Sequence, residues 1–458
     1  VSRPVERIWH VLGVANLLAG AIYIWWRWTH SLNFDALWFA LPLVLAETCA
    51  YFGLILFTAN LWKTRDYPQQ APPSSIAQCT QEGESAERPV SVDLFITTYS
   101  EEEELVRLSI RDAKQITYPH AIDFRVHVLD DGRRESMRQV CEEEGVGYIS
   151  RTNNVGYKAG NLRNAMEQTS GDFICDADTR PFPTILEHTL GYFRDPDVAI
   201  VQTPQWFYDL PEGKRLKDVW GRRAGKPGQL LGAAIEAVFG EIRIGEDPFV
   251  NDPAMFYDVI QRRRNPWNAA FCCGAGSIHR REAVMFVALR AYADAIARSG
   301  DEGRSRIRKL LGLQHKPDDA LARWQAAQEE ELTPYKFHVS EDIYSTIVLH
   351  QDSERKWKTV LHPEVESKML SPQDLLSWTV QRFKYAGGSL DIFFHDNPVT
   401  RPGMTLAQRV MYLTTFWSYF GATWNLIFLL SPIVYMFTTI APVSAYTGDF
   451  FGHALPFL

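Results

Sequence analysis

Apolar positions fall along this chain in two patterns. Three long stretches are almost free of charge: residues 8–26 and 410–448 carry no Asp, Glu, Lys or Arg, and residues 36–62 carry only Glu47. A bilayer crossing takes about 20 apolar residues, so each stretch is long enough to span. Trp9, Trp25, Trp26 and Trp28 ring the first stretch in the manner of interfacial belts. It is too long for a signal peptide, and no small-residue cleavage site follows it. Arg3 and Arg7 precede the first stretch, and Lys63 and Arg65 follow the second. The positive-inside rule then puts both flanks on the cytoplasmic side and predicts a transmembrane hairpin over residues 1–63. Arg27, at the far end, is expected to snorkel. The third stretch exceeds one crossing; its aromatic half, 411–424, is expected to lie at the interface or bend, and 424–440 to span with a kink at Pro432.

Between these stretches the pattern changes to short apolar runs alternating with amphipathic ones. Residues 64–90, with Pro68, Pro72 and Pro73, read as a linker. Strands are predicted over 92–99, 124–129, 148–150 and 172–175, and helices over 101–116, 137–144 and 158–169. Strands alternating with helices argue an α/β fold with a mainly parallel sheet. Further helices are predicted over 229–239, after a mixed-charge loop, over much of 282–330, and over 371–385. The expected organisation is a hairpin (1–63), a linker (64–90), a soluble domain (91–400) and interfacial and transmembrane helices (401–458). A start at Val1 and a stop soon after an apolar stretch are what a fragment lacking further membrane spans would show.

Composition narrows the classes. The chain is 46% hydrophobic and 22% charged, which excludes a disordered chain. A mean hydropathy of -0.19 looks soluble only because the charged middle offsets the apolar ends. The net charge is -8 and no Lys/Arg run stands out, so nucleic acid is not an expected partner. Of six cysteines, Cys79, Cys141, Cys175, Cys272 and Cys273 fall in the middle region without a CxxC, which suits a reduced, cytosolic face.

Three acidic clusters carry the candidate chemistry: Asp130-Asp131, Asp176-Ala177-Asp178 and Glu341-Asp342. The first two fall at carboxyl ends of predicted strands, where open α/β sheets bind ligands. Carboxylates there suit a hard cation such as Mg²⁺, or Mn²⁺, that also holds phosphate oxygens. Lys158, at a predicted helix start, and the pair Arg382/Lys384 could meet a phosphate. Trp206, Trp267 and Tyr385 are candidate sugar platforms, though packing explains the two tryptophans equally well.

The ordered set of short motifs is more specific than any member. It comprises Thr97-Thr98-Tyr99-Ser100-Glu101, Asp130-Asp131-Gly132, Lys158-Ala159-Gly160-Asn161, Asp176-Ala177-Asp178, Gln202-Thr203-Pro204-Gln205-Trp206-Phe207, Phe271-Cys272-Cys273-Gly274, Ser340-Glu341-Asp342 and Gln381-Arg382-Phe383-Lys384-Tyr385. In this set the chain resembles the processive, membrane-embedded family-2 glycosyltransferases, the bacterial cellulose synthase and β-glucan synthase group. The resemblance implies a GT-A type domain flanked by transmembrane helices. It implies that Thr97, Tyr99, Glu101 and Asp131 hold a uridine, that Lys158 touches the nucleotide, and that Asp176 and Asp178 bind the diphosphate through the metal. It makes Asp342 the general base, with Asp131 and Asp178 also in the catalytic set. Arg382 and Lys384 would face the diphosphate; Gln381, Tyr385, Trp206, Cys273 and Gly274 would meet the acceptor sugar. Two departures bear on the linkage: Lys384-Tyr385 stands where the family usually has Arg-Trp, and Ala275-Gly276-Ser277 where it usually has Ser-Ala-Ala. Lys keeps the charge but loses the bidentate fork.

The implied function is a bacterial inner-membrane, multi-pass enzyme with a cytoplasmic catalytic domain. It would polymerise glucose from UDP-glucose into a β-glucan, among membrane lipids and accessory secretion subunits. The alternative is a non-processive membrane glycosyltransferase acting on a lipid. A Mg²⁺-dependent phosphatase would need a nucleophilic Asp in a different local motif, which is not found.

Overall fold

The apolar run at residues 90–98 forms β1 (Val90–Thr98), the axis of the soluble unit. The computed structural model describes residues 3–81, 87–210, 213–245, 253–289, 340–352 and 354–457. β1 is flanked by two parallel neighbours, β2 (Ile122–Asp130) and β4 (Phe173–Asp176), with β3 (Gly147–Ile149) outside β2. Side chains alternate along a strand. Val92, Leu94 and Ile96 enter one core cluster with Ile110, Met137 and Phe193, while Phe95 enters another with Leu129, Leu162 and Ile174. Burial on both faces is why β1 and β4 read as nearly continuous apolar runs, whereas β2 alternates.

The sheet is completed by β6 (Val198–Gln202), β10 (Ser277–Arg280) and β11 (Lys358–Leu361) in the order β11-β6-β10-β4-β1-β2-β3. β10 is antiparallel to both β4 and β6; the other pairings are parallel. A smaller sheet joins β5 (Arg180–Pro181), β12 (Ser367–Met369) and β7 (Gln205–Phe207) in the order β5-β12-β7. The predicted helices over 101–116, 137–144 and 158–169 are observed as Glu103–Ala113, Glu135–Glu144 and Tyr157–Gln168.

Two sequence readings change, and a third falls largely outside the described residues. The helix expected at 229–239 begins at Leu216 and runs to Phe239, broken at Gly225, whose φ of 63° and ψ of -152° no L-residue adopts readily. The short strands β8 (Lys214–Arg215) and β9 (Arg243–Ile244) pair antiparallel at its ends. The segment read as a linker packs on the soluble core: Ile76 and Cys79 are buried, and the Tyr118 hydroxyl donates to the Pro73 carbonyl at 2.7 Å. Of the charged helical region expected over 282–330, 281–289 is helical and the rest lies outside the described residues.

The chain divides into two compact units, one of residues 66–262 and 271–385, the other of 1–65, 263–270 and 386–458. The second is helical, with Arg3–His30, Leu37–Leu61, Leu406–Tyr419 and Gly421–Thr438 as its longer elements; Leu375–His395 is continuous across the division. Among the described residues three helices, Pro4–His30, Phe34–Leu61 and Gly421–Thr438, are long and apolar enough to cross a membrane. The stretch 410–448 bends at Phe420, and its second helix runs on through Pro432. Arg27 does not snorkel: it is fully buried and donates to Glu47 at 2.6 Å and to the Ser31 hydroxyl at 2.6 Å. A charge in an apolar helix is most cheaply held by a partner on its neighbour.

Two buried histidines give the soluble unit a pH dependence. His279 of β10 and His350, whose Nε2 lies 2.9 Å from the Thr359 hydroxyl, are both pulled by burial from 6.5 to about 3, with the Lys158 ammonium adding to the shift at His279. Below 6.5 the unfolded chain takes up protons that the folded chain refuses until about pH 3. Their stabilising contribution is therefore intact above 6.5 and is lost as pH falls toward 3, on the order of 1 kcal/mol per pH unit for each. The stability advantage of wild type over His350→Gln, from denaturant titrations, should shrink by that order between pH 6.5 and 5.5. A constant advantage would mean that His350 is not held neutral.

Candidate active site

The carboxyl ends of β1, β2 and β4 carry the acidic motifs into one region. Thr98 pairs with Asp130, which brings the ends of β1 and β2 level; β4 ends three residues earlier, with Asp176 opposite Phe95, and Asp178 beyond it accepts from the Thr97 N–H at 3.2 Å. A cleft of about 460 Å³ opens there, lined by Thr97, Thr98, Tyr99, Glu101, Asp131 and Lys158 together with Asn154, Tyr157 and Asn161.

Within it the carboxylates have different partners. Asp130 is fully buried and structural: it accepts from the backbone N–H of Gly132 at 3.0 Å and of Arg134 at 2.7 Å, and from the Tyr148 hydroxyl at 3.2 Å. Asp131 is held by a bidentate pair, Arg151 Nε to Oδ1 at 2.6 Å and Nη2 to Oδ2 at 2.7 Å. Arg151 also donates to the carbonyls of Val155 at 2.5 Å and Tyr157 at 2.7 Å, which fixes the turn leading to Lys158. Glu101 braces its own loop, accepting from the Thr98 hydroxyl and the Tyr99 and Ser100 N–H groups. Burial pushes its carboxyl up, but these bonds outweigh it and hold the group below its usual range. Tyr99 is exposed on the same loop.

Lys158 ties the second cluster together. Its ammonium lies 2.8 Å from Asp176 Oδ2 and is also in contact with Asp178 Oδ2. Burial pulls the ammonium down, but Asp176, Asp178 and Glu341 reverse this and hold it well above its usual range. Thr97 donates to Asp178 Oδ1 through both its N–H, at 3.2 Å, and its hydroxyl. Asp176 is pushed up to about 7, first by burial and then by Asp178 and Asp342 against the opposing pull of Lys158. Its Oδ1 is buried with no hydrogen-bond partner.

The third cluster meets the second at Gly274. A Cβ at Gly274 would stand 3.6 Å from both Asp342 Oδ2 and Lys158 Nζ, and the residue's φ of +80° also favours glycine. Asp342 is the second residue of helix Glu341–Gln351; its Oδ1 accepts from the Ile343 N–H at 2.8 Å, and Ser340 holds the N-cap position. Glu341 is pushed up to about 8 by burial and by Asp342. Burial also drives the Tyr257 phenol well up, aided by Cys273, Tyr385 and Asp342, so Tyr257 is the buried neighbour of three predicted residues. Cys273 is positioned by its N–H donating to Gln202 Oε1 at 2.7 Å.

The remaining predicted residues lie on the surface. Trp206 is exposed on β7. Arg382, Lys384 and Tyr385 are exposed on helix Leu375–His395, with Gln381 half-buried and Arg382 over the Trp378 ring at 5.7 Å. Trp267 belongs to the helical unit, where the Lys63 ammonium lies 5.5 Å from its ring. Sequence reasoning missed Arg151, Asn154, Tyr157 and Tyr257, and named Asn161 only as part of a motif. Arg151 follows a strand beside the Asp pair, but only the fold shows whom it meets.

Comparison with known proteins agrees with this geometry. The family description "Glycosyl transferase family 2" matches residues 93–286, and "Glycosyl transferase family group 2" matches 318–450. The UDP-forming cellulose synthase catalytic subunit of Pseudomonas fluorescens is 28% identical over 431 residues, covering 93% of this chain and 47% of the relative. That of Komagataeibacter xylinus is 29% identical over 443 residues, covering 95% and 48%. The chain thus spans about half the length of the curated relatives it matches. A mannosyltransferase from Pyrobaculum calidifontis, solved with GDP-Man and Mn²⁺, matches at a TM-score of 0.53 and 13% identity over 92% of each chain, a likeness of fold. The fold is GT-A with a mostly parallel sheet, and the chain carries family-2 glycosyltransferase domains similar, at 27–29% identity, to bacterial cellulose synthase catalytic subunits.

Proposed function

We propose that this chain is the catalytic part of a membrane-embedded, processive, inverting glycosyltransferase. It polymerises glucose from UDP-glucose into a β-glucan, with β-1,4, β-1,3 or mixed linkage, and passes it across the membrane. The observation that carries this reading is the meeting of Asp176, Asp178, Lys158 and Asp342 around Gly274 at the strand ends. The similarity to UDP-forming cellulose synthases supports the donor.

In this reading Thr97, Tyr99, Glu101 and Asp131 line the cleft for the uridine, and Lys158 leads from it to the diphosphate. The buried, unpartnered Asp176 Oδ1 and a side-chain cation already lodged against both carboxylates fit a divalent metal. Mg²⁺ or Mn²⁺ held by Asp176 and Asp178 supplies charge neutralisation for the leaving diphosphate. Asp342 takes the proton from the acceptor hydroxyl as that oxygen attacks the sugar C1. A single displacement inverts the anomeric centre, so an α-linked donor yields a β-linked product. Arg382 and Lys384 supply positive charge toward the diphosphate; Gln381, Tyr385, Trp206, Cys273 and Gly274 receive the acceptor end.

Residues 91–400 form the transferase domain in this scheme, 1–63 a hairpin and 401–458 interfacial and spanning helices, in a bacterial inner membrane. The basic flanks argue a cytoplasmic catalytic domain. A cysteine introduced at the exposed Glu143 should resist a membrane-impermeant thiol reagent in intact cells and react after permeabilisation. Labelling in intact cells would reverse the topology.

Tyr385→Ala should lower polymer formation several-fold while changing UDP affinity little, because an aromatic platform contributes about 0.5–1.5 kcal/mol beyond its area. Equal loss of both would make Tyr385 structural. The function itself is tested by a donor screen with free UDP as readout, followed by linkage analysis. UDP release from UDP-N-acetylglucosamine and not from UDP-glucose would remove the glucan assignment. Single-sugar transfer to lipid would replace polymerisation.

A further inference from the structure

Away from the strand-end cleft, the soluble unit gathers a second set of ligating side chains. His188 lies on the short helix Ile185–Thr189, and His362, Glu364 and Glu366 occupy the connection from β11 to β12. One ligating atom from each lies within 4.8 Å of all the others. Sequence separation hides the cluster, since more than 170 residues divide His188 from the rest.

We propose that His188, His362, Glu366 and Glu364 form a structural site for a divalent first-row transition cation, with Zn²⁺ the best match, distinct from the metal of the transfer reaction. The buried half is already organised. The Glu366 backbone carbonyl accepts from the Phe182 N–H at 2.8 Å, and the His362 N–H donates to the Gln202 carbonyl at 2.8 Å. Glu366 Oε2 accepts from the Thr184 hydroxyl at 2.7 Å, which leaves Oε1 facing the cluster, 2.5 Å from His188 Nδ1. His362 is 1% exposed, and its Nδ1 is engaged by the Tyr192 hydroxyl at 3.2 Å. That contact orients the ring as outer-shell partners orient metal-bound imidazoles.

The second, independent observation is His362 Nε2. It is buried with no hydrogen-bond partner and stands 3.8 Å from Glu366 Oε1, beyond hydrogen-bond reach. A buried polar group left unsatisfied is costly, and a cation between it and the Glu366 oxygen removes that cost. The other two ligands stand on the open side: the His188 side chain is 31% exposed and Glu364 is exposed. The site therefore has a closed floor and an entry path. His188 must swing outward from its contact with Glu366, since ligands of one tetrahedral cation stand farther apart than 2.5 Å.

Ligand type separates this site from the catalytic one. Two imidazoles and two carboxylates suit Zn²⁺, whereas the all-oxygen Asp176/Asp178 set suits Mg²⁺ or Mn²⁺. The cation would clamp the helix carrying His188 to the link between the large sheet and the small one. In the small sheet β12 pairs Lys368 with Trp206, so the clamp would steady the strand that presents that ring.

The test uses the full chain in detergent, without a polyhistidine tag, stripped of metal and then given Zn²⁺ in excess Mg²⁺. Elemental analysis should find about one Zn²⁺ retained per chain, and X-ray absorption at the zinc edge should find two imidazole ligands. Outer-shell changes alone cost about 10–100-fold in affinity, so His188→Ala and Glu366→Gln should each cost at least that. Asp178→Asn should leave Zn²⁺ retention unchanged, which keeps this result separate from that of the proposed reaction. His188→Ala, at a part-exposed position, covers the case in which the buried variant fails to fold. No retained Zn²⁺, oxygen ligands alone, or equal affinity in His188→Ala and wild type would overturn the proposal.

Discussion

Asp342→Asn should lower sugar transfer by about 10²–10⁴ while leaving UDP affinity close to that of wild type. Asp342 lies in the first turn of helix Glu341–Gln351, where its Oδ1 accepts from the Ile343 N–H. An Asn side chain can accept the same bond, so the helix start is preserved and only the proton acceptor is lost. The residue also stands near Lys158 across Gly274, beyond the cleft residues assigned to uridine. Asp178→Asn provides the contrast: it touches the Lys158 and Thr97 contacts and should weaken nucleotide binding as well as transfer. Rates and UDP affinities measured side by side separate the two. Near-normal polymerisation by a folded, UDP-binding Asp342→Asn enzyme would mean that Asp342 only supports the helix, and the proposed mechanism would fail.

Arg151→Met should destabilise the soluble unit by about 3–5 kcal/mol, the cost of leaving a buried carboxylate without its partner. The Asp131 and Arg151 side chains are only 11% and 8% exposed, and two short charge-assisted bonds join them. In the double variant Arg151→Met/Asp131→Asn no charge is stranded, so most of the stability should return. UDP binding should stay weak, because the proposed uridine ligand is then absent. Thermal denaturation and UDP titration of wild type, Arg151→Met, Asp131→Asn and the double variant close the cycle. A double variant as unstable as the single would assign Arg151 to the Val155 and Tyr157 carbonyls instead. A double variant with normal UDP affinity would take Asp131 out of the uridine site.

What could be read before the fold was known followed from local pattern. β1 and β4 are mostly apolar runs buried on both faces, β2 alternates and buries only its last three residues, and β2 and β4 close on acidic residues, so strand, sheet type and ligand edge come from the same few residues. The motif order then placed Lys158, Asp176 and Asp178 near one another, and they meet. The helix at 216–239 was half legible because Gly225 and Pro227 signal a break, which occurs, but helix resumes on both sides. Arg151, Tyr257 and His362 were not legible as functional neighbours, because each draws its meaning from a partner brought near only by folding. Arg27 was misread for the same reason: its partner is 20 residues away on an antiparallel neighbour.

That Arg27–Glu47 pair bears on how the chain enters a membrane. Arg or Asp at the centre of a spanning helix costs about 2.5–3.5 kcal/mol on insertion scales, and Glu47 lies well inside Leu37–Leu61. That cost falls on Glu47, since Arg27 lies in the last turn of its own helix, and the Arg27–Glu47 pair neutralises it when both helices are present. The partner emerges from the ribosome 20 residues after Arg27, or about 1–4 s later at ordinary synthesis rates. In the proposed membrane topology the first helix would hold an unmatched guanidinium during that interval. In the proposed transmembrane hairpin the two helices would form one unit of biogenesis, delivered to the bilayer together as a neutral pair.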